Sequence, residues 1–302
     1  RRSLFRAPPS RPSPVNPNVD LPQNELAALV ARLQREGDAG LLSRACRFVQ
    51  ERAGGMATRV DAAETSELAS SIALLGELGV GEEAQAACVL HAAVAAGMPI
   101  EAPEWAAFPP DLRALVDGQQ AAERVWSLYA VHGGTNGSEG LRRLLLAIIR
   151  DLRVVFILLA RQLVRMRAAV GATPEEQRAL ARLTADIHAP LANRLGIWQL
   201  KWELEDLAFR FLQPDTYRRI ATLLDERRGD REAWIGNAQA LLGDALAKAG
   251  ITAAIAGRPK HIHSIWRKMQ RKGLEFSELY DVRALRVLVE DVAARYGALG
   301  VV

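Results

Sequence analysis

This 302-residue sequence predicts a mainly α fold that turns α+β near its C-terminal end. From Glu25 onward apolar residues recur every three or four positions, as in Leu26, Leu29, Val30 and Leu33, the period of a helix with one buried face. That period persists to Gly250, a residue suited to closing a helix, and gives way to a short strand-like run, Ile251 to Ile255. A Gly-Pro step then leads into a basic segment of helical period, followed by an apolar strand candidate.

Residues 1–24 are a Pro- and Arg-rich lead, in which Pro8, Pro9, Pro12, Pro14, Pro17 and Pro22 block helices and favour a flexible or extended chain. It lacks the apolar core of a secretory signal and does not begin with Met, so the chain is expected to be incomplete at its front. Helices then dominate residues 25–250, with Gly79 and Gly81, the stretch Pro99 to Pro110 and the Gly-rich stretch His132 to Gly140 as breaks. The longest periodic segment is Glu139 to Val170, apolar on nearly all sides between Leu144 and Leu159, which predicts a helix buried inside a bundle. Arg161, Arg165 and Arg167 interrupt Val154 to Val170 short of the roughly 18–20 apolar residues that a membrane span needs.

Pro174, with Glu175 and Glu176, marks a helix start that is expected to run towards Ala189 and stop before Pro190. Ala192 to Gln213 and Asp215 to Lys248 continue the helical pattern. After the strand at 251–255, His261 to Lys272 reads as a helix, Val282 to Val289 as a strand and Val292 to Leu299 as a further helix, a βαβ-like start. A domain boundary is expected close to Gly250.

Cys46 and Cys88 are too few for a disulfide framework and lack metal-ligand spacing; core positions and a reducing cytoplasm suit them. The net charge of +4 is modest, but it is unevenly placed: Arg258 to Lys272 holds six Arg or Lys, two His and no acid.

GRPKHIHSIWRKM, Gly257 to Met269, is where chemistry is expected. A helix N-terminus offers free N–H groups to phosphate, Arg258 can grip phosphate oxygens bidentately and Lys260 can add a point charge. Lys260, Ser264 and Lys268 are spaced by four and so are expected on one helical face. Asp281, at the start of the next strand, could hold a Mg²⁺ bridging nucleotide phosphates, and cations with one acid suit phosphoryl transfer. The same residues also fit a solvated basic helix or a nucleic-acid patch, with Ile262, Ile265, Trp266 and Met269 as its buried side, and Asp281 also fits a strand-end or helix-cap residue.

GRPKHIHSIWRKM followed by FSELYDVRALRVLV resembles the opening of the synthetase domain of the RelA/SpoT family, with His263 standing where that family is expected to have Tyr. IHAPLANRLGIWQLKWELEDLAFRFL, Ile187 to Leu212, resembles the helical connector of the family's long members. The resemblance implies four parts: the lead 1–24, a helical HD-type domain over 25–185, a helical connector over 186–250, and the start of an α+β nucleotidyltransferase-like synthetase domain over 251–302. It further implies a cytoplasmic enzyme that transfers pyrophosphate from ATP to the 3′-hydroxyl of GDP or GTP, with Arg258, Lys260, Ser264 and Lys268 binding ATP and Asp281 as the catalytic acid on Mg²⁺. The family's second catalytic acid and its guanine-stacking Tyr fall beyond Val302, so these 302 residues alone are expected to show no turnover.

In that family the HD-type domain hydrolyses alarmone with a metal held by a His, a His-Asp pair and a later Asp. Matching LLGELGV, AACVLHAA and ILLARQLVRMRA to the pattern puts Glu67 at the first His, His91 and Ala92 at the pair, Ala95 and Ala96 at an acidic pair beyond, and Arg161 at the later Asp. His91 is then an orphan, a core or helix-surface residue, and hydrolysis is expected to be absent. This pattern resembles the synthesis-only RelA branch, which implies partners in the ribosome and uncharged tRNA through C-terminal regions outside this chain, and none in the membrane. Two alternatives stand beside it: a non-catalytic regulator that contacts RNA or nucleotide, and an intact hydrolase, which needs Mn²⁺ and a ligand set absent from this pattern.

Overall fold

The computed structural model describes residues 40–52, 62–95, 97, 100, 102–132, 140, 151–226, 228–257, 260–279 and 285–301. The first bundle contains α1 (Leu41–Arg52), α2 (Ala62–Glu77), α3 (Glu82–Ala95), α4 (Ala102–Trp105), α5 (Pro110–His132) and α6 (Leu152–Ala168). It is closed by α7 (Pro174–Leu183), a π-helical turn at Thr184–His188, α8 (Ala189–Arg194) and α9 (Trp198–Leu212). Then come α10 (Pro214–Glu226), α11 (Arg228–Lys248), β1 (Ala253–Gly257), α12 (Ile262–Lys272), β2 (Leu285–Val289) and α13 (Val292–Val301).

Helix α6 is the buried helix that the apolar run predicts. Val154, Val155, Ile157, Leu158, Leu159, Leu163 and Met166 are buried, and the helix packs against α2, α3, α5 and α9. Asp151 caps its start by accepting the Arg153 N–H at 2.8 Å, while Arg165 and Arg167 sit in its last turn, where positive charge complements the helix dipole. Gly118 on α5 permits the close approach of α6, since a Cβ there would lie 2.9 Å from Cγ2 of Val154. Cys46 and Cys88 are buried core thiols, which burial pushes up to about 11 and about 12. Among the described residues no helix is long and apolar enough to cross a membrane.

The backbone departs from the expected pattern in three places. Pro190 does not end the helix: α7 passes through the π-turn directly into α8, with the Ala189 N–H bonded to the Thr184 carbonyl. The wider turn moves the preceding carbonyls away from the proline ring, which an α-helix could not do. The pattern from Ala192 to Gln213 is broken at Gly196, whose φ of +71° turns the chain between α8 and α9. The strands pair antiparallel, Ala253 with Val289 through Gly257 with Leu285, in place of the parallel pair of a βαβ unit. Helix α12 packs on α9 and α10 and so does not serve as a crossover helix lying on the sheet.

A second, smaller core gathers Phe209, Ile220, Ile265, Met269, Phe276 and Leu279. It joins residues on both sides of Gly250, which closes α11 with φ +71°.

Candidate active site

The basic segment folds as the sequence suggests only in part. Ile265 and Met269 are buried in the second core with Ile262 and Trp266 packed against it, so the apolar side of α12 faces inward. Ser264 and Lys268 lie one turn apart on α12, but Lys260 precedes the helix, whose N-cap is His261, so the three do not share one helical face. Arg258 and Asp281 lie outside the described residues.

The N-terminus of α12 is not free. The carboxylate of Asp206, on α9, accepts the His263 N–H at 2.8 Å, and its other oxygen lies 3.2 Å from Nδ1 of His261. A phosphate at that N–H would have to displace a carboxylate, so the helix end offers less to an anion than the sequence alone implies. The His261 ring stacks on Trp202 at 5.3 Å, and Trp266 stacks on Phe209 at 4.6 Å. His263 lies with Nδ1 3.5 Å from Glu205 and its ring beside Phe209 and Trp266. Burial pushes the Glu205 carboxyl up, but His263 and Lys201, whose Nζ is 2.9 Å away, together hold it below the ordinary carboxylate range.

In the first bundle, four helices bring Glu67 (α2), His91 (α3), Glu123 (α5) and Arg161 (α6) together. His91 is buried and is no orphan: Nη1 of Arg161 lies 3.3 Å from its Nδ1 and 3.3 Å from Oε1 of Glu123. An arginine can only donate, so Nδ1 is the acceptor and the ring proton sits on Nε2, 3.4 Å from Oε2 of Glu123 but without a well-formed hydrogen bond. Nε of Arg161 lies 3.9 Å from Glu67, which also accepts from Nε of Arg165 at 2.7 Å. Burial pushes the Glu123 carboxyl up, but His91 and Arg161 hold it below its ordinary value. Ala92 and Ala95, which the sequence reading placed at ligand positions, follow His91 on α3, half-buried and exposed respectively; Ala96 lies outside the described residues. Among the described residues, no three His, Cys, Asp or Glu side chains form a metal-ligand set.

Residues 45–198 match the model of the HD domain, and residues 257–302 match the region found in RelA / SpoT proteins. This is an HD-domain protein of the RelA/SpoT family. It is 52% identical over 164 residues to a GTP pyrophosphokinase of Photobacterium angustum, a match covering 54% of this chain and 22% of the relative. It is 48% identical over 192 residues to the GTP pyrophosphokinase of Escherichia coli, covering 62% of this chain and 26% of the relative. A probable guanosine-3′,5′-bis(diphosphate) 3′-pyrophosphohydrolase of Synechocystis is 43% identical over 232 residues, 76% of this chain and 30% of the relative. The chain thus spans about a quarter of the length of these relatives.

Reading the sequence of this RelA/SpoT protein misses Glu123, Glu205 and Asp206. Each is an acid among the apolar residues of a long helix, in AAERVW and WELEDLAF, and that placement is the one signal that could have singled them out.

Proposed function

We propose that the whole protein is a GTP/GDP pyrophosphokinase. The 3′-hydroxyl of GDP or GTP attacks the β-phosphorus of ATP, the new O–P bond forms as the bond to the α-phosphate oxygen breaks, AMP leaves, and the hydroxyl proton is released. The observation that carries this reading is the basic segment that follows β1, within a stretch matching the RelA/SpoT region. Arg258, Lys260 and Lys268 neutralise ATP phosphates and Ser264 adds a hydrogen bond; positioning and charge neutralisation are most of what such a reaction asks of a protein. Asp281 offers a hard carboxylate oxygen of the kind Mg²⁺ takes, and the ion, when bound, supplies further charge neutralisation at the phosphates.

In this reading residues 25–185 form an inactive HD-type domain, 186–250 a connector and 251–302 the start of the synthetase domain. A divalent ion does not fit the first domain as the family uses it, because the Arg161 guanidinium already joins His91 and Glu123, and alanine follows His91. The test is transfer from labelled ATP to GDP and GTP by the whole protein, by Lys268→Ala and by Asp281→Ala, with alarmone breakdown followed under Mn²⁺. Transfer lost in both variants, without breakdown, supports the reading. Breakdown overturns the inactive first domain, and absence of transfer in the wild type overturns the kinase.

A further inference from the structure

The helix that carries Ser264 and Lys268 is held by an acid from a different part of the chain. Asp206 binds α12 at two points: Oδ1 takes the backbone N–H of His263, and Oδ2 faces Nδ1 of His261, the N-cap residue. The ring of His261 is gripped from its flat side as well, stacked on Trp202 at 5.3 Å and 23°, one turn before Asp206 on α9. Both oxygens of a single, largely buried carboxylate therefore define where the helix begins and how it is rotated. One turn further along α9, Phe209 stacks on Trp266, which fixes the middle of α12. A helix tied at its start and in its middle has no freedom to slide or roll against α9.

We propose that Asp206 is a positioning residue for pyrophosphate transfer, a role that rests on the kinase reading above. It sets the start of α12, and with it the places of Lys260, just before the N-cap, and of Ser264 and Lys268 along the helix. By occupying the N–H of His263 with a fixed carboxylate, it also keeps that N–H from drawing phosphate onto the helix end, so that the triphosphate is directed to the cationic side chains. A carboxylate is the right group for both tasks: it accepts from two donors at once and complements the positive end of the helix dipole. Displacements of about 1 Å in a phosphate-positioning group are enough to cost about a hundredfold in rate.

The experiment uses the whole protein and compares wild type, Asp206→Ala and Asp206→Asn. The readouts are KM for ATP, KM for GDP, kcat, the melting temperature and hydrogen exchange of the amides in 260–268. Asp206→Ala is expected to raise KM for ATP about tenfold and to speed exchange in 260–268 by a similar factor, with KM for GDP within twofold. Asp206→Asn keeps one acceptor for the His263 N–H and is expected to recover most of both effects, which a change in general stability would not do. Unchanged exchange and unchanged KM for ATP in Asp206→Ala, with an active wild type, overturn the positioning role and leave the kinase reading standing. Equal effects on both substrates with no recovery in Asp206→Asn also overturn it. A wild type without transfer overturns the kinase reading and takes this role with it.

Discussion

Replacing Arg161 with alanine tests whether the guanidinium holds the first bundle together at the point where four helices meet. Its loss leaves Nδ1 of His91, a residue 1% exposed, without its donor. An unsatisfied buried group of this kind costs about 1–3 kcal/mol. Arg161 also faces Glu123 and Glu67, whose side chains are 42% and 24% exposed, and pairs this wet contribute under about 1 kcal/mol each. Arg165 continues to hold Glu67, so that carboxylate is not stranded. The expected loss is about 2–3 kcal/mol, a drop in melting temperature of about 6 °C for a domain of this size. Arg165→Ala, which removes a 44% exposed partner of one carboxylate, is the control and should cost under about 1 kcal/mol. Thermal unfolding followed by circular dichroism measures both. Glu123→Ala should cost less in the Arg161→Ala background than in the wild type, because the two groups share one network. Equal losses for Arg161→Ala and Arg165→Ala, or additive losses in the double variant, would refute the idea that Arg161 is the hub.

Acid should loosen the first bundle: burial holds His188 down to about 4, so the unfolded chain binds more protons below the ordinary His value, and Glu123, held low by His91 and Arg161, adds to the loss only once pH falls into the ordinary carboxylate range. Stability is complete above about pH 6.5 and falls as pH drops towards 4, with His188 alone accounting for about 3 kcal/mol; urea titrations from pH 7 to 4.5 read this, and a flat profile contradicts it. Gly118→Ala should cost about 1–3 kcal/mol by pushing a methyl group into Val154, and Val154→Ala in that background should recover part of it; a neutral Gly118→Ala rules out a close approach of α5 and α6. Arg161→Asp replaces the central cation with another acid beside Glu67, Glu123 and His91, so it should melt below Arg161→Ala, and millimolar Mn²⁺ should raise its melting temperature while leaving the wild type unmoved. No recovery would show that these groups do not converge on one point.

What the sequence reveals follows from how local the cause is. Helical period exposes the buried face of α6 and of α12, and Gly250 closes a helix where a glycine with positive φ is expected. Period says which face is buried but not what covers it, so the strand pairing and the docking of α12 on α9 were out of reach: the contacts of Asp206 with His261 and His263 span 55 and 57 residues. Pro190 misleads for a related reason, since a proline is a reliable stop only while the preceding turn is α, and the π-turn before it is a property of the backbone that no residue type announces. His91 is assigned no partner in the sequence because its partners come from α5 and α6, and Arg161, read in the sequence only as a cation at a ligand position, is in the fold a donor to His91.

Helix α9 ties the first bundle to the second part. Leu200, Leu204, Ala208 and Phe211 belong to the first core, while Phe209 belongs to the second and Trp202 and Asp206 hold α12. One helix therefore has two buried faces, and neither can turn without the other. Arg167 on α6 reinforces the first face with a two-point ion pair to Glu203, at 2.6 and 2.8 Å. A rotation of α9 large enough to release Asp206 from α12 would have to expose Leu200 and Leu204, each worth about 1.5–3 kcal/mol of burial. The packing of the first bundle thus fixes the angle at which α9 presents its acid, and that acid fixes where the basic helix begins. The Arg161 guanidinium adds to that packing, because it joins α2, α3, α5 and α6 at one point without needing an ion.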